Sequence, residues 1–117
     1  MTAMKGASIG IDIADIARFR KFAAQKKDRF LTNTFSENER EYCFSYRDPA
    51  PHLAGMFAAK EAVRKTSKKF LLPFSELEVR HHESGSPEMW VRGRKVPSLA
   101  ISITHASEFA CAVALKN

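Results

Sequence analysis

The 117-residue sequence lacks long hydrophobic runs and contains few cysteines. Its two cysteines, Cys43 and Cys111, show neither metal-ligand nor disulfide spacing, which argues against a zinc site and against a disulfide framework. No stretch approaches the length of a membrane span, and no N-terminal apolar segment resembles a signal peptide. We therefore expect a cytoplasmic protein with no membrane association and with reduced thiols.

The sequence has enough apolar residues to build one core. Hydrophobic residues make up 44% of the chain, and nine of the residues are Phe. A chain of this length and composition is typical of one globular domain, here residues 1–117, and not of a disordered protein.

Positive charge is concentrated in one segment. The formal net charge is +6, and residues 18–29 contain six basic side chains against one acidic side chain. Such a segment implies an acidic partner, for example phosphates, nucleic acid or an acidic protein surface.

The order of predicted elements favours an α+β fold. Ser8–Ile13 is predicted as a strand, followed by a helix with Ile13, Ile16, Ala17 and Phe19 facing inward. A capping box at Ser36–Glu39 predicts a helix to Tyr46, and Asp48-Pro49 begins a helix to about Ser67. Alternating residues then predict antiparallel strands at 77–80, 89–91, 99–103 and 109–115, with Cys111 as a buried thiol.

Two carboxylates in apolar surroundings are the main candidates for chemistry. Asp12 lies in the run 9–13, where the predicted strand leads into a helix, and Glu61 lies in the largely apolar helix segment 53–63. A buried carboxylate needs a compensating partner or a metal ion, and Mg²⁺ prefers carboxylates, water and phosphate oxygens. Two simpler interpretations remain open: Asp12 as a helix N-cap, and Glu61 in an ion pair with Lys65.

Other polar residues near these acids have two interpretations each. Lys60, Arg64 and Lys65 could contact a phosphate or form a solvated basic face. His105 could bind phosphate or act as an acid or base, or could bond to the local backbone of a turn. Residues 85–87 fit a hairpin turn whatever the function. The 18–29 segment could dock an acidic helix or a nucleic-acid backbone, or Phe19 and Phe22 could be core residues among solvated charges.

Four segments in a fixed order carry a resemblance to a known family. They are Ile9-Gly10-Ile11-Asp12-Ile13 with Arg18, Phe35-Ser36-Glu37-Asn38-Glu39, Phe57-Ala58-Ala59-Lys60-Glu61-Ala62, and Ser102-Ile103-Thr104-His105. With the Gly85-Ser86-Pro87 turn and the chain length, they resemble the holo-acyl carrier protein synthases, the short class of 4′-phosphopantetheinyl transferases.

This resemblance implies a reaction and a site. A family member transfers 4′-phosphopantetheine from coenzyme A to a serine hydroxyl of apo acyl carrier protein, releases adenosine 3′,5′-bisphosphate and supports fatty acid biosynthesis. Asp12 and Glu61 would hold Mg²⁺, with Lys65 as a third catalytic residue. The implied coenzyme A-binding residues are Lys60, Arg64, Lys65, Gly85, Pro87, Ser102 and His105.

The resemblance also implies partners. The basic helix would dock the acidic helix of the carrier protein, and a homotrimer is expected, with no nucleic-acid partner. The implied docking residues are Arg18, Lys21, Phe22, Lys26 and Arg29. One departure is Met56, which stands where relatives often carry an arginine. A phosphate contact is then either missing or supplied by Arg64, Lys68 or Lys69.

Overall fold

The computed structural model describes residues 6–25 and 28–117. A strand comes first, helices follow and further strands complete the chain, which is the predicted α+β order. The helices are α1 Ile16–Ala23, α2 Arg29–Thr34, α3 Glu37–Phe44 and α4 Ala50–Arg64, with 3-10 turns at Lys68–Phe70 and Phe74–Glu76. The strands are β1 Ser8–Asp15, β2 Leu77–His81, β3 Pro87–Val91, β4 Arg94–Lys95, β5 Leu99–His105 and β6 Phe109–Lys116.

The longest helix, α4, crosses a sheet made from the two ends of the chain. This antiparallel sheet has the order β1-β6-β5, so β1 pairs with the last strand. At one end of α4, Gly55 lies against Ile103 of β5, and at the other end Ala62 lies against Gly10 of β1. The helix therefore runs obliquely from one edge strand of this sheet to the other.

A second antiparallel sheet, β2-β3-β4, is formed mainly by a hairpin. The predicted turn at residues 84–87 is confirmed, and Gly85 adopts a φ of 93°, which favours glycine. The hairpin packs its Leu77, Val79 and Met89 side chains into the core.

The buried face of β6 is not the face that carries Cys111. On β6 the small Ala110, Ala112 and Ala114 face α4 and are buried, whereas the larger residues face outward. The prediction that Cys111 is a buried thiol is therefore wrong, because Cys111 shares the outer face and is half-buried. Large apolar residues exposed on this outer face of β1 and β6 are Ile9, Ile11, Ile13, Phe109, Val113 and Leu115.

The helix starts follow local capping, with one correction. The Ser36–Glu39 capping box is confirmed, and Asp48 Oδ1 accepts a hydrogen bond from Ala50 N near the start of α4. Asp15, and not Asp12, caps α1, because β1 continues to residue 15. The Asp15 side chain accepts a hydrogen bond from the Ala17 backbone amide.

The inward face of α1 was predicted in part. Ile16 and Phe19 are fully buried as expected. Ile13 and Ala17 point outward, because Ile13 still belongs to β1 and lies on its outer face.

None of the helices in residues 6–25 and 28–117 combines the length and apolar character that a membrane span requires.

Candidate active site

Asp12 lies on the face of β1 that packs against α4. Its side chain is 16% exposed and accepts a hydrogen bond from Lys65 Nζ, at 3.2 Å from Oδ1. The same ammonium group donates to the Ile11 carbonyl at 2.9 Å. The Lys65 side chain is 52% exposed, so this ion pair lies at the protein surface, beside the edge strand β1.

Glu61 lies one helical turn before Lys65 and is also held by a cation. Arg64 Nη1 donates to Glu61 Oε1 at 2.9 Å, and the Glu61 side chain is 26% exposed. The alternative interpretation, an ion pair of Glu61 with Lys65, is not found, because Lys65 turns toward β1 instead. The two acids thus have separate basic partners on the same end of α4.

Close contact between β1 and α4 brings the two acids to the same end of the site. A Cβ atom added to Gly10 would lie 1.9 Å from the Ala62 carbonyl oxygen and 3.2 Å from Lys65 Cβ. Since Asp12 follows Gly10 by two residues on the same face of the strand, it lies beside the helix turn that carries Glu61 and Lys65. Glycine at position 10 is what permits this approach.

The residues present fit a hard divalent cation with few protein ligands. Both acids supply carboxylate oxygens at partly exposed positions, whereas the described residues contain no group of three or more His, Cys, Asp or Glu placed to hold a metal ion. Mg²⁺ commonly takes one or two carboxylates and fills its other positions with water and substrate phosphate. Asp12 and Glu61 match that donor set.

Lys60 does not reach the site. Its side chain is fully buried, and its Nζ donates to Glu39 Oε1 at 2.6 Å, to the Thr34 carbonyl at 2.7 Å and to the Phe74 carbonyl at 3.2 Å. The prediction of a coenzyme A contact for Lys60 is therefore corrected: all three ammonium donors are used inside the core.

The carboxylate that the core buries is Glu39 and not Glu61. Glu39 also accepts hydrogen bonds from the Val79 and Ser36 amides at 2.7 and 2.9 Å. Burial raises the pKa of Glu39 and lowers the pKa of Lys60, while the charge of each partner opposes the other's shift. The ion pair joins α3, α4 and β2.

A second part of the site is a cavity of about 190 Å³ at the other end of α4. It contains three of the predicted coenzyme A-binding residues, Gly85, Pro87 and His105, and also Met56. Glu61 follows Met56 by five residues, so the helix rise separates the cavity from the carboxylates by about 8 Å along α4.

Sequence reasoning missed two histidines of this cavity. His52 and His81 both line it, and the His52 ring lies 5.8 Å from the His105 ring, between centroids. His52 precedes Met56 by four residues and so lies on the same side of the helix, a spacing that could have revealed it. His81 comes from β2, and no sequence spacing links it to the others.

Ser102 lies apart from the rest of the predicted site. It is exposed and pairs with Val113, on the outer face of the first sheet. His105 is three residues further along β5 and therefore on the opposite face, which lines the cavity. Within one chain these two side chains do not converge.

The predicted docking residues lie on or beside an aromatic cluster. Arg18, Lys21 and Arg29 are exposed, and Phe22 is half-buried and stacks on Phe30 at 4.4 Å between ring centroids. The Arg18 guanidinium carbon lies 5.2 Å from the Phe30 centroid. Lys26 is outside the described residues.

Comparisons with known proteins show the family of this chain. The family model described as "4′-phosphopantetheinyl transferase superfamily" matches residues 8–114. The chain is 43% identical over 115 residues to a holo-[acyl-carrier-protein] synthase of Chlamydia trachomatis, covering 92% of this chain and 96% of the relative. It is 35% identical over 117 residues to one of Caldanaerobacter subterraneus, covering 92% and 91%.

Solved structures give the same result. A holo-(acyl-carrier-protein) synthase from Bacillus anthracis in complex with CoA (3′,5′-ADP) superposes with a TM-score of 0.75 at 30% identity, covering 93% of this chain and 94% of that one. The Helicobacter pylori enzyme in complex with coenzyme A gives a TM-score of 0.75 at 30% identity, covering 93% and 99%. The matched residues 8–114 include both carboxylates and the whole cavity.

Proposed function

This chain belongs to the holo-acyl carrier protein synthases of the 4′-phosphopantetheinyl transferase superfamily, and we propose that it moves 4′-phosphopantetheine from coenzyme A to a serine hydroxyl of apo acyl carrier protein. The other product is adenosine 3′,5′-bisphosphate, and the modified carrier serves fatty acid biosynthesis. The observation that carries the proposal is the meeting of Asp12 on β1 with the Glu61–Lys65 turn of α4.

Asp12 and Glu61 are the proposed ligands of Mg²⁺. When bound there, the ion would supply positive charge to the diphosphate of coenzyme A, where charge develops as the phosphoryl group is transferred. Their partial exposure leaves both carboxylates accessible to an ion from solvent.

Two basic side chains hold the carboxylates at this end of the site. Lys65 holds Asp12 and presents a half-exposed ammonium group, which can contact the diphosphate. Arg64 holds Glu61 and fixes the position of its carboxylate.

The cavity at the other end of α4 is the proposed place for the nucleotide part of coenzyme A. Gly85, Pro87 and His105 line this cavity. Lys60 is left out of the proposed site because it is buried, and Ser102 can take part only from the face that a neighbouring subunit would cover.

The carrier protein is proposed to dock on α1 and the start of α2. Arg18, Lys21 and Arg29 present positive charge there, next to the half-buried ring of Phe22. An acidic helix fits such a surface because opposite charges steer the encounter and the aromatic ring supplies apolar contact. Lys26 and Lys27 add basic residues to the same segment of sequence.

A homotrimer is proposed from the outer face of the first sheet. Ile9, Ile11 and Ile13 are each more than 60% exposed there, and the face continues across Val113 and Leu115 of β6. A continuous apolar patch on a sheet face is typical of a protein interface. We expect the enzyme to work in the cytoplasm, which suits its two free cysteines.

The direct test is mass spectrometry of apo acyl carrier protein incubated with this protein, coenzyme A and Mg²⁺, with an EDTA control. We expect a metal-dependent gain of one phosphopantetheine. Asp12→Asn and Glu61→Gln should each slow transfer about a hundredfold or more, because each removes a charged ligand of the Mg²⁺ that would offset charge on the reacting diphosphate.

The matched control is Glu83→Gln, which changes an exposed acid in the β2–β3 turn. It should transfer at the wild-type rate. Full activity in either carboxylate variant would contradict the metal assignment. Coenzyme A binding without transfer to several carrier proteins would indicate a binding protein with this fold and not an enzyme.

A further inference from the structure

The 190 Å³ cavity has an unusual set of polar groups. Its polar side chains are three histidines and a tyrosine, and the described residues that line it include no Lys, Arg, Asp or Glu. Met56 contributes a buried apolar side chain. The protonation of the histidines therefore decides whether this cavity is neutral or positive.

Two tyrosines hold two of the histidine rings in place. The Tyr42 ring stacks on His81 at 4.0 Å between centroids, and the Tyr46 ring stacks on His52 at 3.6 Å. The two tyrosine hydroxyls hydrogen-bond to each other at 3.1 Å, which ties the stacks together. His52 in turn meets the edge of His105. The rings are thus positioned by packing before any ligand enters.

We propose that His52 and His81, with His105 beside them, form a subsite for the phosphate monoester of coenzyme A. The protonated imidazoles of His52 and His81 hold this phosphate, so the affinity for coenzyme A falls as pH rises. The inference rests on the proposed function, because it takes coenzyme A as the substrate. It adds two specificity-determining residues and a pH dependence to that site.

The electrostatics of the empty cavity favour this coupling. Burial lowers the pKa of His52, and the nearby His105 lowers it further, while Asp48 opposes the shift. Burial also lowers the pKa of His81. The titratable or charged groups that face these histidines are Tyr42, Tyr46, Asp48, His81 and His105.

Two groups beside these histidines, Tyr42 and Asp48, keep the same charge near neutral pH. Burial raises the pKa of Tyr42 to about 12, so its hydroxyl stays neutral. Arg20 binds Asp48 at 2.7 Å and lowers the pKa of that carboxyl, so Asp48 stays ionised throughout. A phosphate dianion entering the cavity would stabilise the charged imidazoles and draw protons onto them.

The size of the effect follows from proton linkage. A phosphate monoester loses its second proton near pH 6 and is a dianion above that. Because the pKa values of His52 and His81 are lowered in the empty cavity, both side chains are mainly uncharged between pH 6.5 and 8, where the ligand phosphate is mainly a dianion. Each proton taken up on binding then weakens affinity up to about tenfold per pH unit across this range.

The test compares coenzyme A with 3′-dephospho-coenzyme A, which lacks only the phosphate monoester. Isothermal titration calorimetry at pH 6.5, 7.25 and 8, in buffers of different ionisation enthalpy, gives both the affinity and the number of protons taken up. We expect coenzyme A to lose about tenfold or more in affinity over this range with net proton uptake, and dephospho-coenzyme A to change little.

Variants assign the effect to the cavity. His52→Gln and His81→Gln should each weaken coenzyme A binding at pH 6.5 and flatten its pH profile, without affecting dephospho-coenzyme A. His82→Gln is the matched control, because His82 neighbours His81 but is exposed in the turn, where its Nδ1 pairs with Ser84. Thermal unfolding of each variant checks that it is folded.

Equal pH dependence for the two ligands, or a profile unchanged in both His52→Gln and His81→Gln, would overturn the inference while leaving the transfer reaction standing. Coenzyme A binding with the expected pH profile but without transfer would support the inference and contradict the proposed reaction. Failure of both ligands to bind would overturn both.

Discussion

Gly10→Ala adds a single methyl group at a position where β1 packs closely against α4. A Cβ at position 10 would lie 1.9 Å from the Ala62 carbonyl oxygen, whereas ordinary contact begins near 3.4 Å. The obstructing atom belongs to the backbone of α4, which cannot rotate away as a side chain would. β1 and α4 must therefore separate locally by about 1.5 Å.

The magnitude follows from two opposing effects. Replacing Gly by Ala restricts the unfolded chain and by itself stabilises a protein by about 0.4–1 kcal/mol. Overpacking of this kind costs about 1–3 kcal/mol and occasionally more, and a backbone obstruction places Gly10→Ala at the upper end. We expect the free energy of unfolding to fall by about 2–3 kcal/mol, measured by urea denaturation at one protein concentration.

Gly55→Ala is the matched control. Its added Cβ would lie 2.8 Å from Ile103 Cγ2, a methyl group of a half-buried side chain that can shift, and alanine favours the helix interior by up to about 1 kcal/mol. We expect this variant to change stability by less than about 1 kcal/mol. A Gly10→Ala protein as stable as wild type would refute the close approach of β1 and α4 on which the site depends.

Three further expectations follow from other parts of the structure. Lys60→Met should lower the free energy of unfolding by about 3–5 kcal/mol, because it leaves Glu39 buried without its cation. Adding Glu39→Gln should recover part of that loss. If the two substitutions had simply additive effects in a double-mutant denaturation cycle, that result would contradict a stabilising interaction between Lys60 and Glu39. The pKa values of His52 and His81 are lowered in the folded protein, so the unfolded chain binds more protons below about pH 7. Thermal stability should therefore fall as the pH drops from 7.5 to 5.5. If a His52→Gln/His81→Gln variant showed the same pH dependence of stability, these two histidines would not be its cause. Light scattering should give the wild-type protein a mass of about three times the 13.2 kDa chain. Val113→Asp should reduce this mass to that of one chain, whereas Leu71→Asp, at an exposed position outside the sheet, should leave it unchanged. A Val113→Asp protein that remained trimeric would argue against this interface.

The sequence predicted the order of elements because capping and alternation are local signals. The Ser36–Glu39 capping box and the hairpin turn at Gly85 are read from neighbouring residues and are both confirmed. Strand β6 was found for the same reason. The sequence did not predict which face of β6 is buried, because the alanines and the larger apolar residues that alternate with them are both compatible with a core. Close packing against α4 selects the face that carries the alanines.

The burial of charge could not be assigned from the sequence. Lys60 and Glu61 are adjacent in a helix that is apolar around most of its circumference, so the periodicity does not tell which one faces inward. Lys60 faces inward because its Nζ forms an ion pair with Glu39, which lies 21 residues earlier in the chain, on α3. The histidines at 52 and 81 were missed for a similar reason, since α4 and β2 bring them to one cavity from distant positions.

The central claim is that Asp12 and Glu61 together hold the metal ion of the reaction. The most direct measurement is anomalous diffraction from crystals grown with coenzyme A and Mn²⁺, which takes the same oxygen ligands as Mg²⁺. The account predicts a manganese peak about 2.2 Å from a carboxylate oxygen of each residue and beside the diphosphate. A peak that contacts neither carboxylate, with coenzyme A bound, would contradict it.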